Sequence, residues 1–152
     1  MTRRRRSTGE PDFEVTKSEA EWRRQLPAER YRVLRRAGTE PPWSGELLAV
    51  EDEGVFRCAG CGAALFDTDA KFESGTGWPS FDRAHAAGTV LERKERSLLW
   101  SRTEIVCARC GGHLGHVFPD GPTDTGQRYC VNSLALTFEP GPDDPDRDGT
   151  PT

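Results

Sequence analysis

The chain has 152 residues, 34% of them apolar and 30% charged, with 21 Lys and Arg against 25 Asp and Glu. That is one domain with a modest core. The net charge of -4 speaks against a general nucleic-acid binder, and no apolar run approaches the ~20 residues of a membrane span.

Residues 1–12 read as a disordered basic tail, with Arg3 to Arg6 at its centre. No apolar stretch follows the arginines, so the expectation is a cytoplasmic rather than a secreted protein. Thr16 and Glu19 have capping-box spacing and predict a short helix from about Lys17 to Gln25. Pro27 suits the first turn of a second helix, which carries Tyr31 and Leu34 and ends at Gly38. Residues 39–46 are a turn-rich wrap in which Trp43 is expected to anchor on the core.

Strand signals dominate from Val55 onward. Val55–Arg57 and Ala64–Phe66 flank a Cys-Ala-Gly-Cys turn. Residues 89–106 predict a two-stranded hairpin, and 128–138 predict one last long strand. Residues 140–152 are acidic and rich in Pro and Gly, with too little apolar surface to fold. The working domain is therefore 13–139. Its predicted class is mainly β, a small antiparallel domain with a helical N-terminal arm.

Five cysteines make an odd count. Cys58 and Cys61 form one Cys-x-x-Cys, and Cys107 and Cys110 form another; each pair is followed by glycine. Two residues between thiols let both sulfurs face one centre, so the two pairs supply four ligands to a closed, structural zinc site. A thioredoxin-like redox pair would need a strand–helix context that neither motif has. Structural disulfides do not suit a chain without a secretory signal.

Cys130 is left over. Its bland reading is a buried strand cysteine acting as a small hydrophobe. Against that, alternation puts Arg128, Cys130 and Asn132 on one face, and a nearby cation favours a thiolate. His113 and His116 read as zinc ligands, acid/base groups or packing, and they can reach one pocket if their strand carries a bulge. The Gly-rich stretch 74–77 precedes Trp78, which reads either as a core anchor or as an apolar wall.

The stretches Cys58-x-x-Cys61, Lys71-Phe72, Gly77-Trp78-Pro79-Ser80-Phe81, Cys107-x-x-Cys110, His113 to Phe118 and Arg128 to Ser133, with Arg36 to Glu40 upstream, together resemble the B-type methionine sulfoxide reductases. The resemblance covers roughly residues 14–139. It implies two antiparallel sheets, a structural zinc on the four cysteines, and reduction of protein-bound methionine-R-sulfoxide. It implies Cys130 as nucleophile, with Trp78 and Phe118 around the sulfoxide methyl. His113, His116 and Asn132 line the polar side, and Arg128 with Asp120 sets the local charge. His116 is the expected proton donor. It also implies a monomer, and the charge and the lack of a long apolar run set the expectation that neither nucleic acid nor membrane is a partner.

Many family members carry a resolving cysteine where this chain has Thr76. The expectation is that an external thiol, thioredoxin or another, reduces Cys130 directly. The rival readings are a non-catalytic zinc-ribbon-like binding module and a redox sensor without turnover.

Overall fold

The computed structural model describes residues 13–96 and 101–141. The expected tail 1–12, the expected tail 140–152 apart from its first two residues, and residues 97–100 lie outside the described residues.

Helix α1 spans Glu19–Gln25 and α2 spans Ala28–Arg36. The capping box forms, but two residues later than the sequence predicts. Ser18 Oγ accepts from Glu21 N–H, and Glu21 returns its carboxylate to Ser18 N–H. Thr16 therefore stays outside the helix. The end of α2 also differs. Ala37, not Gly38, takes the left-handed cap at φ 54°, and the N–H groups of Ala37 and Gly38 both return to the Arg32 carbonyl.

The strands follow in order: β1 Gly54–Cys58, β2 Ala64–Asp67, β3 Lys71–Phe72, β4 Ser80–Phe81, β5 Val90–Arg96, β6 Ser101–Cys107, β7 His113–Phe118, β8 Arg128–Val131 and β9 Leu136–Pro140. Among the described residues they build two antiparallel sheets, with orders β2-β1-β9 and β3-β4-β8-β7-β6-β5. The mainly-β class and the helical arm stand. The single long strand over 128–138 does not. Residues Ser133–Ala135 form a short 3-10 turn that breaks it, and its halves enter different sheets. Periodicity continues across such a break, so the alternation alone does not reveal it. β9 pairs through Pro140 with Gly54, and Gly141 N–H donates to the Glu53 carbonyl.

The sheets meet on aromatic rings. Phe66 of β2 stacks on Phe81 of β4 at 4.4 Å, and Phe56 of β1 meets Phe81 edge-on at 5.1 Å. The arm closes the opposite end. Trp22, Val33 and Leu34 are buried, and the Arg35 guanidinium lies 4.4 Å over the Trp22 ring. Trp43 departs from its expected role as an anchor: it is 64% exposed. Trp43 sits within the turn that Ser44 N–H closes on the Pro41 carbonyl, which composition could not tell.

Candidate active site

Two sites emerge, one at each end of β7. The first is the cysteine cluster. Both Cys-x-x-Cys segments fold into the same turn. Gly62 N–H returns to the Cys58 carbonyl at 2.9 Å, and Gly111 N–H to the Cys107 carbonyl at 2.8 Å. Both glycines have positive φ, 84° and 77°, so the turn demands residues without a Cβ. The sulfurs of Cys58, Cys61, Cys107 and Cys110 all lie within 4.8 Å of one another. Cys58 and Cys110 sulfurs are 3.7 Å apart, and Cys61 and Cys107 sulfurs 3.6 Å. A tetrahedron of metal–sulfur bonds near 2.3 Å has edges of about 3.8 Å, so the four atoms fit one zinc-sized ion.

The electrostatics point the same way. The Cys58 and Cys110 thiols are raised, foremost by their hydrogen bonding with Cys107, with burial adding to it. Cys61 is held below the usual thiol range, foremost by donation from Cys107, and Cys107 is lowered to about 7, foremost by donation from Cys110. Four thiolates cannot share this space without a cation. Gly60 N–H reaches Cys58 Sγ at 3.3 Å, and Arg35 reaches Cys110 Sγ at 3.8 Å, which adds positive partners for the sulfurs.

The second site surrounds Cys130. Its neighbours in the sheet are Ser80 on β4 and His116 on β7, each paired with it directly. Gly115, beside His116, is required by this pairing. A Cβ there would overlap the Cys130 carbonyl oxygen. A register shift opposite Ile105 and Val106 puts one extra residue into β7 between His113 and Gly115. Residues three apart in a regular strand face opposite ways. The bulge brings His113 and His116 to the same face, with ring centroids 5.7 Å apart and edge-on.

Cys130, Trp78, His116, Phe118 and Asn132 line a cavity of about 160 Å³. Thr39, Arg102, Gly115 and Val131 complete that lining, and the sequence singled out neither Thr39 nor Arg102 for a role. His113 is not part of the lining. It is 5% exposed, its Nδ1 lies 2.6 Å from Glu104 Oε2, and its Nε2 has no hydrogen-bond partner among the described residues. His116 Nε2 lies 3.1 Å from Glu95 Oε1. A carboxylate only accepts, so Nε2 carries the proton and Nδ1 is the basic nitrogen.

Arg128 and Asp120 also stand outside the lining. They form a two-pronged pair at 2.9 and 3.1 Å, and the guanidinium covers the Phe118 ring at 4.4 Å. That pair fixes Phe118 from behind. Trp78 is fixed by Nε1–H, which donates to the Glu40 carbonyl at 3.0 Å. Asn132 spends Oδ1 on Glu40 N–H and an Nδ2 hydrogen on the Leu114 carbonyl. Glu40 is itself buried, and its carboxylate accepts the N–H groups of Ser133 and Leu134, both at 2.9 Å. Its position in the chain, before two prolines, gave no signal for this long-range role.

Burial holds the Cys130 thiol above its ordinary range; Arg128 and a hydrogen bond from Thr76 pull it partly back. Burial also lowers His116, against a smaller opposing pull from Glu95. At neutral pH the resting pair is thus a thiol beside a neutral imidazole.

The SelR domain matches residues 26–140. A peptide methionine sulfoxide reductase MsrB of Leptospira interrogans is 51% identical over 128 residues, 84% of this chain and 98% of that protein. The protein of the same name in Leifsonia xyli is 53% identical, covering 87% of this chain and 96% of its own. That of Bradyrhizobium diazoefficiens is 54% identical, covering 85% and 93%. Among solved structures, the Mis18 "Yippee-like" domain aligns over 60% of this chain and 99% of its own, with a TM-score of 0.48 and 21% identity, too distant to bear on function.

Proposed function

The chain belongs to the SelR-domain family of peptide methionine sulfoxide reductases, type B, and on that premise we propose that Cys130 reduces the R epimer of methionine sulfoxide in peptides and proteins. The observation that carries the proposal is the pairing of Cys130 with His116 inside one small cavity walled by Trp78 and Phe118.

The cavity has two chemical sides. Trp78 and Phe118 offer apolar faces for the sulfoxide methyl. His116 and Asn132 offer polar atoms for its oxygen. A site with a methyl wall on one side and donors on the other accepts one arrangement about a chiral sulfur and misplaces its mirror image. That is the basis for assigning the R epimer.

The chemistry starts from a thiol and a neutral imidazole. His116 Nδ1 takes the Cys130 proton as sulfur attacks sulfur. The imidazolium then returns a proton to the sulfoxide oxygen. The S–O bond of the substrate breaks and oxygen passes to Cys130. Methionine leaves, reduced by two electrons, and Cys130 is a sulfenic acid, oxidised by two. Two external thiols then reduce it, releasing water and leaving as a disulfide. Arg128 stabilises the negative sulfur, and Asp120 orients Arg128. His113, set by Glu104 behind His116, supports the histidine pair.

The external donor is inferred from the cysteine distribution. Thr76, not a thiol, bonds Cys130, and the other four cysteines are gathered in the cluster. Thioredoxin or another thiol reductant supplies the electrons. The cluster holds one structural zinc through Cys58, Cys61, Cys107 and Cys110; with four protein ligands it has no open position for chemistry. A thiol-fed cycle and a thiolate metal site both suit a reducing compartment, the cytoplasm. The unit is read as a monomer.

The test is turnover of a peptide carrying methionine-R-sulfoxide with a small dithiol. The wild type should reduce the R epimer and spare the S epimer, and Cys130→Ser should reduce neither. An active Cys130→Ser variant, or reduction of both epimers alike, would sink the assignment.

A further inference from the structure

One residue beside the pocket is unfavourable on two counts. Ser44 N–H donates to the Pro41 carbonyl at 3.3 Å, which closes a turn with Pro42 second and Trp43 third. Trp43 has φ 70°, at the turn position where glycine or asparagine is favoured. Its indole is also 64% exposed, and it is the exposed large hydrophobic side chain among the described residues. A glycine would relieve both the backbone and the exposure. A strained residue held in place by its surroundings is a marker of function.

The surroundings join this turn to the cavity. Trp43 N–H donates to the Gly77 carbonyl at 2.7 Å. A Cβ added to Gly77 would lie 3.0 Å from Trp43 Nε1, so the indole edge rests against the Gly77 backbone. Gly77 stands between Thr76, which bonds Cys130, and Trp78, which walls the cavity. Upstream, Thr39 lines the same cavity, and Glu40 is buried with bonds to Ser133, Leu134, Asn132 and Trp78. The segment 39–44 is therefore anchored at the pocket and carries Trp43 out beside it. A cavity of about 160 Å³ holds one side chain, so the polypeptide bearing that side chain must run outside.

We propose that Trp43 is a specificity-determining residue that packs on the polypeptide flanking the oxidised methionine, and so separates peptide-borne from free methionine sulfoxide. The proposal rests on the reading of the cavity as the sulfoxide site. A flat ring suits a partner of varied sequence. It offers wide apolar contact with little side-chain entropy to lose, and its Nε1–H can donate to a peptide carbonyl.

The experiment compares kcat/KM for a methionine-R-sulfoxide peptide and for free methionine-R-sulfoxide, both with a small dithiol. Trp43→Ala should lower the peptide value about tenfold and change the free value less than about twofold. Trp43→Phe should retain most of the peptide value. Trp43→Gly should raise Tm while showing the same peptide loss, which separates lost contact from lost fold. Equal loss on both substrates, or loss on neither, overturns the proposal. So does a loss seen only with a protein reductant, which would assign the ring to reductant docking. A wild type that turns over neither substrate overturns the sulfoxide reading itself, a different result from any of these.

Discussion

Cys130 and His116 face each other across one rung of the β7–β8 ladder, and their proton affinities move in opposite directions. The thiol is raised and the imidazole lowered, both chiefly by burial. The reactive arrangement, thiolate beside imidazolium, carries as many protons as the resting thiol beside neutral imidazole. Its fraction is therefore constant between the two pKa values and falls outside them. kcat/KM should follow a broad plateau, with an acid limb below the ordinary histidine range and an alkaline limb above the ordinary thiol range. Arg128 lowers the Cys130 value, so Arg128→Gln should push the alkaline limb higher still. A narrow peak at neutral pH, or a limb moving down in that variant, would contradict this account. Thr76 supplies a second residue-scale prediction. Because its side chain already bonds Cys130, Thr76→Cys should place a thiol within reach of the sulfenic acid. One turnover without reductant should then give an internal disulfide by mass spectrometry, where the wild type gives a trappable sulfenic acid. A variant that still yields only sulfenic acid would show that the two side chains do not meet in the oxidised enzyme.

At the scale of elements, β7 does the positioning. Its bulge puts both histidines on one face, and Gly115 lets β8 approach closely. Gly115→Ala forces a methyl into the Cys130 carbonyl. It should cost about 3 kcal/mol of stability, read by urea unfolding, and displace the Cys130–His116 rung so that kcat falls with it. Unchanged stability would mean the strands can part without penalty. The elements also mark where sequence reading succeeds. The Cys-x-x-Cys turns, the hairpin of β5 and β6 and the two arm helices were legible because their signals lie within a few residues. The capping box slipped from Thr16 to Ser18 because both positions offer a hydroxyl three residues before a glutamate, so the spacing alone does not choose between them. The strand over 128–138 looked continuous because the 3-10 turn Ser133–Ala135 is held by Glu40, ninety-odd positions away.

At the scale of the molecule, the cysteine cluster joins what the chain keeps far apart. Cys58 and Cys61 belong to the small sheet's hairpin and Cys107 and Cys110 to the end of the large sheet; the arm reaches the first turn through Gln25, which donates to the Gly60 carbonyl, and the second through Arg35. A metal there ties two sheets and the arm into one unit. The purified protein should contain one zinc per chain by elemental analysis. Cys58→Ser should lower metal content and reduce Tm by about 10 °C. The folded fraction should retain the pH profile of the wild type, because the cluster does not line the Cys130 cavity. Loss of activity with zinc and Tm unchanged would contradict a structural role.

The amino-acid sequence by itself determined the chemistry-bearing set: four cysteines in two turns, a fifth alone, two histidines and a tryptophan in motifs that resemble one family. Those motifs are short, and their spacing is set by local geometry. Only the tertiary structure decided which atoms meet. It put Cys130 opposite His116 and set His113 one step back against Glu104. It buried Glu40 under the pocket wall and left Trp43 in water. It also reversed one electrostatic expectation: beside Arg128 the thiol was expected to be lowered, yet burial holds it up. The reason is common to all of these. Burial and long-range pairing depend on how sheets, arm and loops close over one another, and no spacing within a motif encodes that closure.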